Sequence, residues 1–202
     1  QVYIADSGNH HIQVLNPDLT FSHSFGSEGS ANGQFQSPTD IAIDSQGLVY
    51  VADQCNNRIQ KFSPDGKFVG QFGTEGSGPG QLSYPVGITI DTAATGLVYV
   101  SEGGNYRISV FTSDGVFVSM FGRLGSNVDE FNDPYGLAFN KDGFLYVCDF
   151  GNDRLAERKL STGDVPPVLR TDDQLMSEDE VKEIKTGLSA MKTAAVLDIF
   201  KR

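Results

Sequence analysis

Four segments of this 202-residue chain repeat one another, and their spacing leaves few folds open. Tyr3, Tyr50, Tyr99 and Tyr146 recur at intervals of 47, 49 and 47 residues. Behind each comes an acid (Asp6, Asp53, Glu102, Asp149), an Asn (Asn9, Asn56, Asn105, Asn152) and an aliphatic residue (Ile12, Ile59, Ile108, Leu155). Phe25-Gly26, Phe72-Gly73 and Phe121-Gly122 follow in step, and then Pro38, Pro85 and Pro134. A unit of this length cannot bury its apolar surface alone, so copies must stack on their neighbours.

Within one period the apolar residues fall in short runs bounded by turn residues: Ile41-Ala42-Ile43, Leu48-Val49-Tyr50-Val51, Arg58-Ile59-Gln60-Lys61-Phe62 and Lys67-Phe68-Val69-Gly70-Gln71-Phe72. These read as strands. Asp65-Gly66 and Asp114-Gly115 are hairpin signals, because Gly accepts positive φ and Asp can bond its own following backbone. Four antiparallel strands per period make an all-β chain of β-propeller blades. With the strand after each proline innermost, loops 53–58, 102–107 and 149–154 share a face with connectors 26–38, 73–85 and 122–134. The turns at 45–47 and 63–66 go to the opposite face. Binding is expected on the connector-rich face, where loops vary while the blades hold them still.

The motif resembles the NHL-repeat propellers, whose Asn-His-Leu signature is echoed in Asn9-His10-His11-Ile12, Asn57-Arg58-Ile59 and Asn105-Tyr106-Arg107-Ile108. The resemblance covers roughly residues 2–160: a partial unit 2–37, whole units 38–84 and 85–133, and a unit 134–160 that degrades after Arg154. It implies about three to four blades, incomplete relative to a six-bladed ring. The chain is therefore expected to be a fragment, to self-associate through open blade edges, or to close a compact four-bladed ring. Gln1 at the start in place of Met fits a cut chain. After a linker at 161–176, Ser177 to Glu180 form a capping box, and a C-terminal amphipathic helical tail is expected over 177–202.

Net charge is -11, and residues 1–160 hold 9 Lys and Arg against 18 Asp and Glu, a surface that repels phosphate and anionic lipid. No membrane-spanning run is present in the sequence. Two cysteines and no Asn-x-Ser/Thr acceptor favour a reducing, cytoplasmic setting. Cys55 is expected to be a surface thiol and Cys148 a small core residue; no base is placed to activate either.

The acidic ladder reads as turn structure built with the Asn three residues on, and Asp44, Asp91 and Asn140 likewise as turn residues. His10, His11 and His23 fall in one repeat, and two adjacent histidines on a strand point to opposite faces, so no metal site or other cofactor is expected. Arg58, Arg107 and Arg154 repeat and are expected to be structural. The non-repeating residues of the connector face, Gln54, Asn57, Tyr106, Arg123 and Phe150, are the candidate partner contacts. Gly87 and Gly136 are expected to permit tight entry into the innermost strand.

Similarity to tripartite-motif proteins implies a non-enzymatic scaffold that recognises a protein partner or substrate within a ubiquitin ligase family. Two other readings stay open. One is a metal-dependent propeller enzyme resembling the amidating lyases, and the other is single-stranded RNA binding, which the acidity disfavours.

Overall fold

The computed structural model describes residues 1–159, so the proposed linker and helical tail lie outside the described residues. Four antiparallel sheets follow one another along the chain. The first contains β1 (Val2–Asp6), β2 (His11–Leu15) and β3 (Phe21–Phe25). The second and third have four strands each: β4 (Pro38–Ile43), β5 (Val49–Asp53), β6 (Arg58–Phe62) and β7 (Phe68–Phe72), then β8 (Pro85–Ile90), β9 (Val98–Glu102), β10 (Arg107–Phe111) and β11 (Phe117–Phe121). The last described sheet has β12 (Pro134–Phe139), β13 (Phe144–Asp149) and β14 (Arg154–Lys159). Strands are hydrogen-bonded in chain order, the meander expected of propeller blades.

Adjacent sheets meet face to face, which explains why the second strand of each repeat is a continuous apolar run and not a simple alternation. Val49 and Val51 pack back against Ile12, Tyr3 and Ala5 of the first sheet, whereas Tyr50 and Ala52 pack forward against Ile88, Val98, Val100 and Phe111 of the third. Tyr99 repeats the forward contact against Leu137, Phe139, Leu145 and Val147. On the first sheet the backward position is held by Val2, which is 40% exposed where its counterparts Val49 and Val98 are 0%.

The fourth repeat stays regular where its sequence departs from the motif. Strand β14 pairs along its whole length with β13, and Arg158 stands in the slot of Phe62 and Phe111. Phe62 and Phe111 each pack a ring on the outer-strand Phe of the preceding sheet, Phe25 and Phe72, at 4.9 and 4.8 Å. Arg158 lays its guanidinium 3.8 Å from the centre of the equivalent Phe121 ring, so a planar cation takes the place of an aromatic ring.

The inner strand of each following blade accepts a polar link from the blade before, and these links do not repeat. Ser7 Oγ donates to the Pro38 carbonyl, Thr39 Oγ1 to the Val86 carbonyl (2.8 Å) and Ser101 Oγ to the Tyr135 carbonyl (2.5 Å). The Ser101 link brings Tyr135 so close that a Cβ on Gly87 would overlap the Tyr135 carbonyl oxygen and sit 2.8 Å from Ser101 Oγ. Gly136 occupies the same position one blade on, but among the described residues its only close neighbour is Cys148 Sγ at 3.9 Å. The expectation of a tight entry therefore holds for Gly87 and is corrected for Gly136. Cys148 is half-buried, less enclosed than a core residue, and Cys55 is exposed. Gly87→Ala should lower unfolding free energy by about 1–3 kcal/mol through overpacking, while Gly136→Ala stays within about 0.5 kcal/mol. Urea denaturation of both variants checks this, and equal effects would contradict the assigned difference.

Candidate functional site

In the second, third and fourth blades the connector face is built on a buried carboxylate. Asp53 Oδ1 accepts the Gln36 amide of the incoming connector (2.7 Å), while Oδ2 accepts from Arg58 Nε (2.8 Å), Asn56 Nδ2 (2.9 Å) and Gln60 Nε2 (3.1 Å). Arg58 in turn donates to the carbonyls of Ser30, Ala31 and Gln34, and Asn56 to that of Gly29. Glu102 repeats the arrangement with the Ser83 amide, Asn105 and Arg107, whose guanidinium reaches the Ser77 and Gln81 carbonyls. Asp149 does so with the Asn132 amide, Asn152 and Arg154. The structural reading of the acids and arginines thus stands, with one addition: the Asn bonds the acid three residues before it and also donates across to a connector carbonyl.

Side-chain lengths compensate inside this hub. The fourth partner of Asp53 is the long Gln60 and that of the longer Glu102 is the short Ser109 (Oγ to Oε1, 2.5 Å), while the same slot beside Asp149 holds Ala156. Asp6 precedes no described connector contact, and Asn9 Nδ2 instead turns to both its oxygens.

Two further positions on this face hold left-handed backbone without glycine. One is the residue after each acidic turn: His10, Asn57, Tyr106 and Asp153, with φ of 55°, 52°, 54° and 52°. The other precedes each proline: Ser37, Tyr84 and Asp133, at 55°, 49° and 59°. They are paired, since the Ser37 amide donates to His10 Nδ1 (3.0 Å) and the Tyr84 amide to Asn57 Oδ1 (2.8 Å). His10 is therefore a turn residue, and only His11 begins a strand, so the expected opposite-facing pair on one strand is not what forms.

The five candidate contacts fare differently. Gln54 is half-buried at the start of a 3-10 turn (Gln54–Asn56). Asn57 is on the expected face but its side-chain oxygen is spent on the Tyr84 amide, which corrects it to a structural link. Arg123 is exposed, yet it pairs with Glu130 at 2.9 Å, and Glu130 also accepts the Asn127 amide. Tyr106 is half-buried in the slot that elsewhere supplies the amide acceptor. Phe150 is 67% exposed and lies 5.8 Å from the ring of Tyr135.

Sequence reasoning missed Tyr84, Tyr135, Asp133 and Asp40. The first three would have emerged by comparing the residues that flank each proline, where no two repeats agree. Asp40 stands in the position of Gly87 and Gly136 and bridges blades: its Oδ2 accepts the Ile88 amide and its Oδ1 that of Ile41, both at 2.9 Å. Burial pushes this carboxyl up to about 6, against the lowering effect of the two amide bonds. Among the described residues no group of three or more His, Cys, Asp or Glu is placed to hold a metal ion.

Residues 35–62 match the family model of the NHL repeat. No curated protein matches the chain. Among solved structures it is similar to a catalytically inactive virginiamycin B lyase from Staphylococcus aureus bound to quinupristin, with TM-score 0.59, 16% identity, 85% of this chain and 52% of that one covered. A streptogramin B lyase gives 0.55, 19%, 80% and 51%, and the RRP9 WD40 repeats give 0.53, 12%, 78% and 47%. The chain thus spans about half the length of these structures. Identities this low establish a shared propeller fold.

Arg107→Ala leaves Glu102 buried beside unpaired carbonyls and should cost about 3–5 kcal/mol of stability. Arg154→Ala, at a site open to solvent, should cost about 1–2 kcal/mol. Chemical denaturation of both gives the comparison. Because the native Asp40 carboxyl binds its proton more tightly than the unfolded one, its stabilising contribution is present at low pH and is lost as pH rises through about 6. Asp40→Asn should therefore gain stability relative to the parent between about pH 4 and pH 7. A pH-independent difference in melting temperature would contradict that.

Proposed function

We propose that the chain is a non-enzymatic recognition module that presents the connector face of its blades to a protein partner, in a cytoplasmic protein of the tripartite-motif NHL kind. One observation carries this reading. The repeated charged groups, Asp53 with Arg58, Glu102 with Arg107 and Asp149 with Arg154, are consumed in holding the connectors. Among the residues left exposed on the same face are large ones that do not repeat, Tyr84, Tyr135 and Phe150. A rigid scaffold carrying variable, part-aromatic loops is the arrangement of a recognition surface. A matching NHL repeat and likeness to a WD40 protein support a propeller used for binding. Ligase activity, on this reading, would reside in other domains of a larger protein.

A second reading, a metal-dependent lyase, is favoured by the lyases among the structural relatives. Partner capture from a cell extract, identified by cross-linking, separates the readings. Capture should survive chelation of divalent metals, and the double variant of Tyr106 and Arg123 to Ala should reduce it several-fold. Loss of capture with chelator and recovery with added zinc would favour the lyase, and binding only to single-stranded oligonucleotide, falling steeply with salt, would favour RNA.

A further inference from the structure

We infer that the connector face of the third and fourth blades is a seat for an arginine side chain of the partner protein; the inference rests on the recognition reading above and names the chemistry that reading leaves open. The seat centres on Gly103. The equivalent residues of the other blades are Ser7, Gln54 and Phe150, so only here does the acidic turn carry no side chain at its first position. The point where a Cβ would stand is 3.0 Å from Asp133 Oδ1, 3.5 Å from Val86 Cγ2 and 3.8 Å from the Tyr84 carbonyl, so the bare backbone of Gly103 lets Asp133 and Tyr84 close in around it.

From there the patch is continuous. The Phe150 amide donates to the Asp133 carbonyl (3.2 Å), and the Phe150 ring lies against Tyr135. Tyr84, Tyr135 and Phe150 are 54%, 45% and 67% exposed, large fractions for aromatic residues on a well-ordered face. Tyr84 and Tyr106 also hold left-handed backbone that disfavours bulky side chains, at slots where the preceding repeat uses Ser37 and Asn57. Aromatic side chains are thus kept on this face against local backbone preference.

Charge selects the occupant. The described residues carry twice as many acids as bases, and around this face Glu28, Glu75, Asp129 and Asp153 are exposed. Its exposed base, Arg123, is bound to Glu130. Arg58 and Arg107 are buried under the connectors, and Lys61 and Lys67 engage Ser113 and Asp65. A carboxylate that shares its face with three exposed aromatic residues suits a planar cation that can accept stacking and donate paired hydrogen bonds, which is guanidinium chemistry.

The test uses the full 202-residue chain and a labelled twelve-residue peptide of arginines spaced by Gly and Ser, followed by fluorescence anisotropy. Lysine and glutamate versions of the peptide and a single-stranded uridine oligomer are run beside it. The arginine peptide should bind, and Asp133→Asn and Phe150→Ser should each weaken it about tenfold while circular dichroism stays unchanged. Both replacements suit their backbone, since Asn tolerates left-handed φ and Ser is native at the equivalent position 7. Asp142→Asn, on the opposite face, should leave binding unaltered. No binding, equal binding of the lysine peptide, tighter binding of the uridine oligomer, or no effect of the two variants would each overturn the inference. If the variants still capture the natural partner, recognition stands and only the arginine seat falls.

Discussion

A buried carboxylate with hydrogen bonds on both its oxygens holds this molecule together. Asp53, Glu102 and Asp149 are all fully buried, and an ionised group in that position is tolerable only if its hydrogen bonds are met on every side. The partners come from three places: an Arg at the start of the next strand, an Asn in the intervening turn, and an amide of the connector that arrives from the blade before. The connector is consequently fixed at both ends of its course. Its Phe or Leu, such as Phe35 or Leu82, seals the core below, and its carbonyls satisfy the guanidinium above. The glycines after each outer strand belong to the same design, since Gly73 has φ of +88° and a Cβ there would meet Leu82 at 2.5 Å.

Much of this was legible because propeller blades write their period into the chain. The strand positions, the shared face of turns and connectors and the structural role of the arginines all followed from residues recurring at one spacing. What a period cannot show is the partner. The acids and Asn residues looked like local turns, since three residues separate them, whereas the amides and carbonyls they also bind lie 17 to 29 residues earlier. Substitution in a slot is equally opaque. Arg158 looked like the failure of the repeat, yet its flat cation fills the place of a Phe because the stacking surface beneath it, Phe121, is unchanged. Gly87 and Gly136 share a letter and a position, and only the closeness of the next blade tells them apart.

Irregularity within regular slots was a sound guide to the exposed face and a poor guide to which residue is free to act. It found Phe150, which is exposed beside another aromatic ring. It also chose Asn57 and Arg123, whose polar groups are already bound to Tyr84 and Glu130. Arg123 and Glu130 depart from their repeats together: Gln34 and Gln81 cap the other connectors, and the acid that replaces them here brings its own counter-charge. A pair of coupled exceptions leaves the net field of the face almost untouched, while a lone exception such as Asp133 changes it.

That distinction decides where the acidity of the molecule matters. Each carboxylate–arginine hub is neutral as a unit and lies beneath the surface, so it contributes little to the potential a partner meets. The remaining acids are exposed and spread over separate loops, and at physiological salt each acts over about 8 Å. A long-range attraction for any cation is therefore weaker than the count of acids suggests. Selectivity has to come from contact, where a carboxylate and exposed aromatic residues on one face distinguish a planar cation from a round one and either from a phosphate. The rigid hubs supply that contact with its precision, because they hold the Tyr84 and Asp133 backbones in place before any ligand arrives.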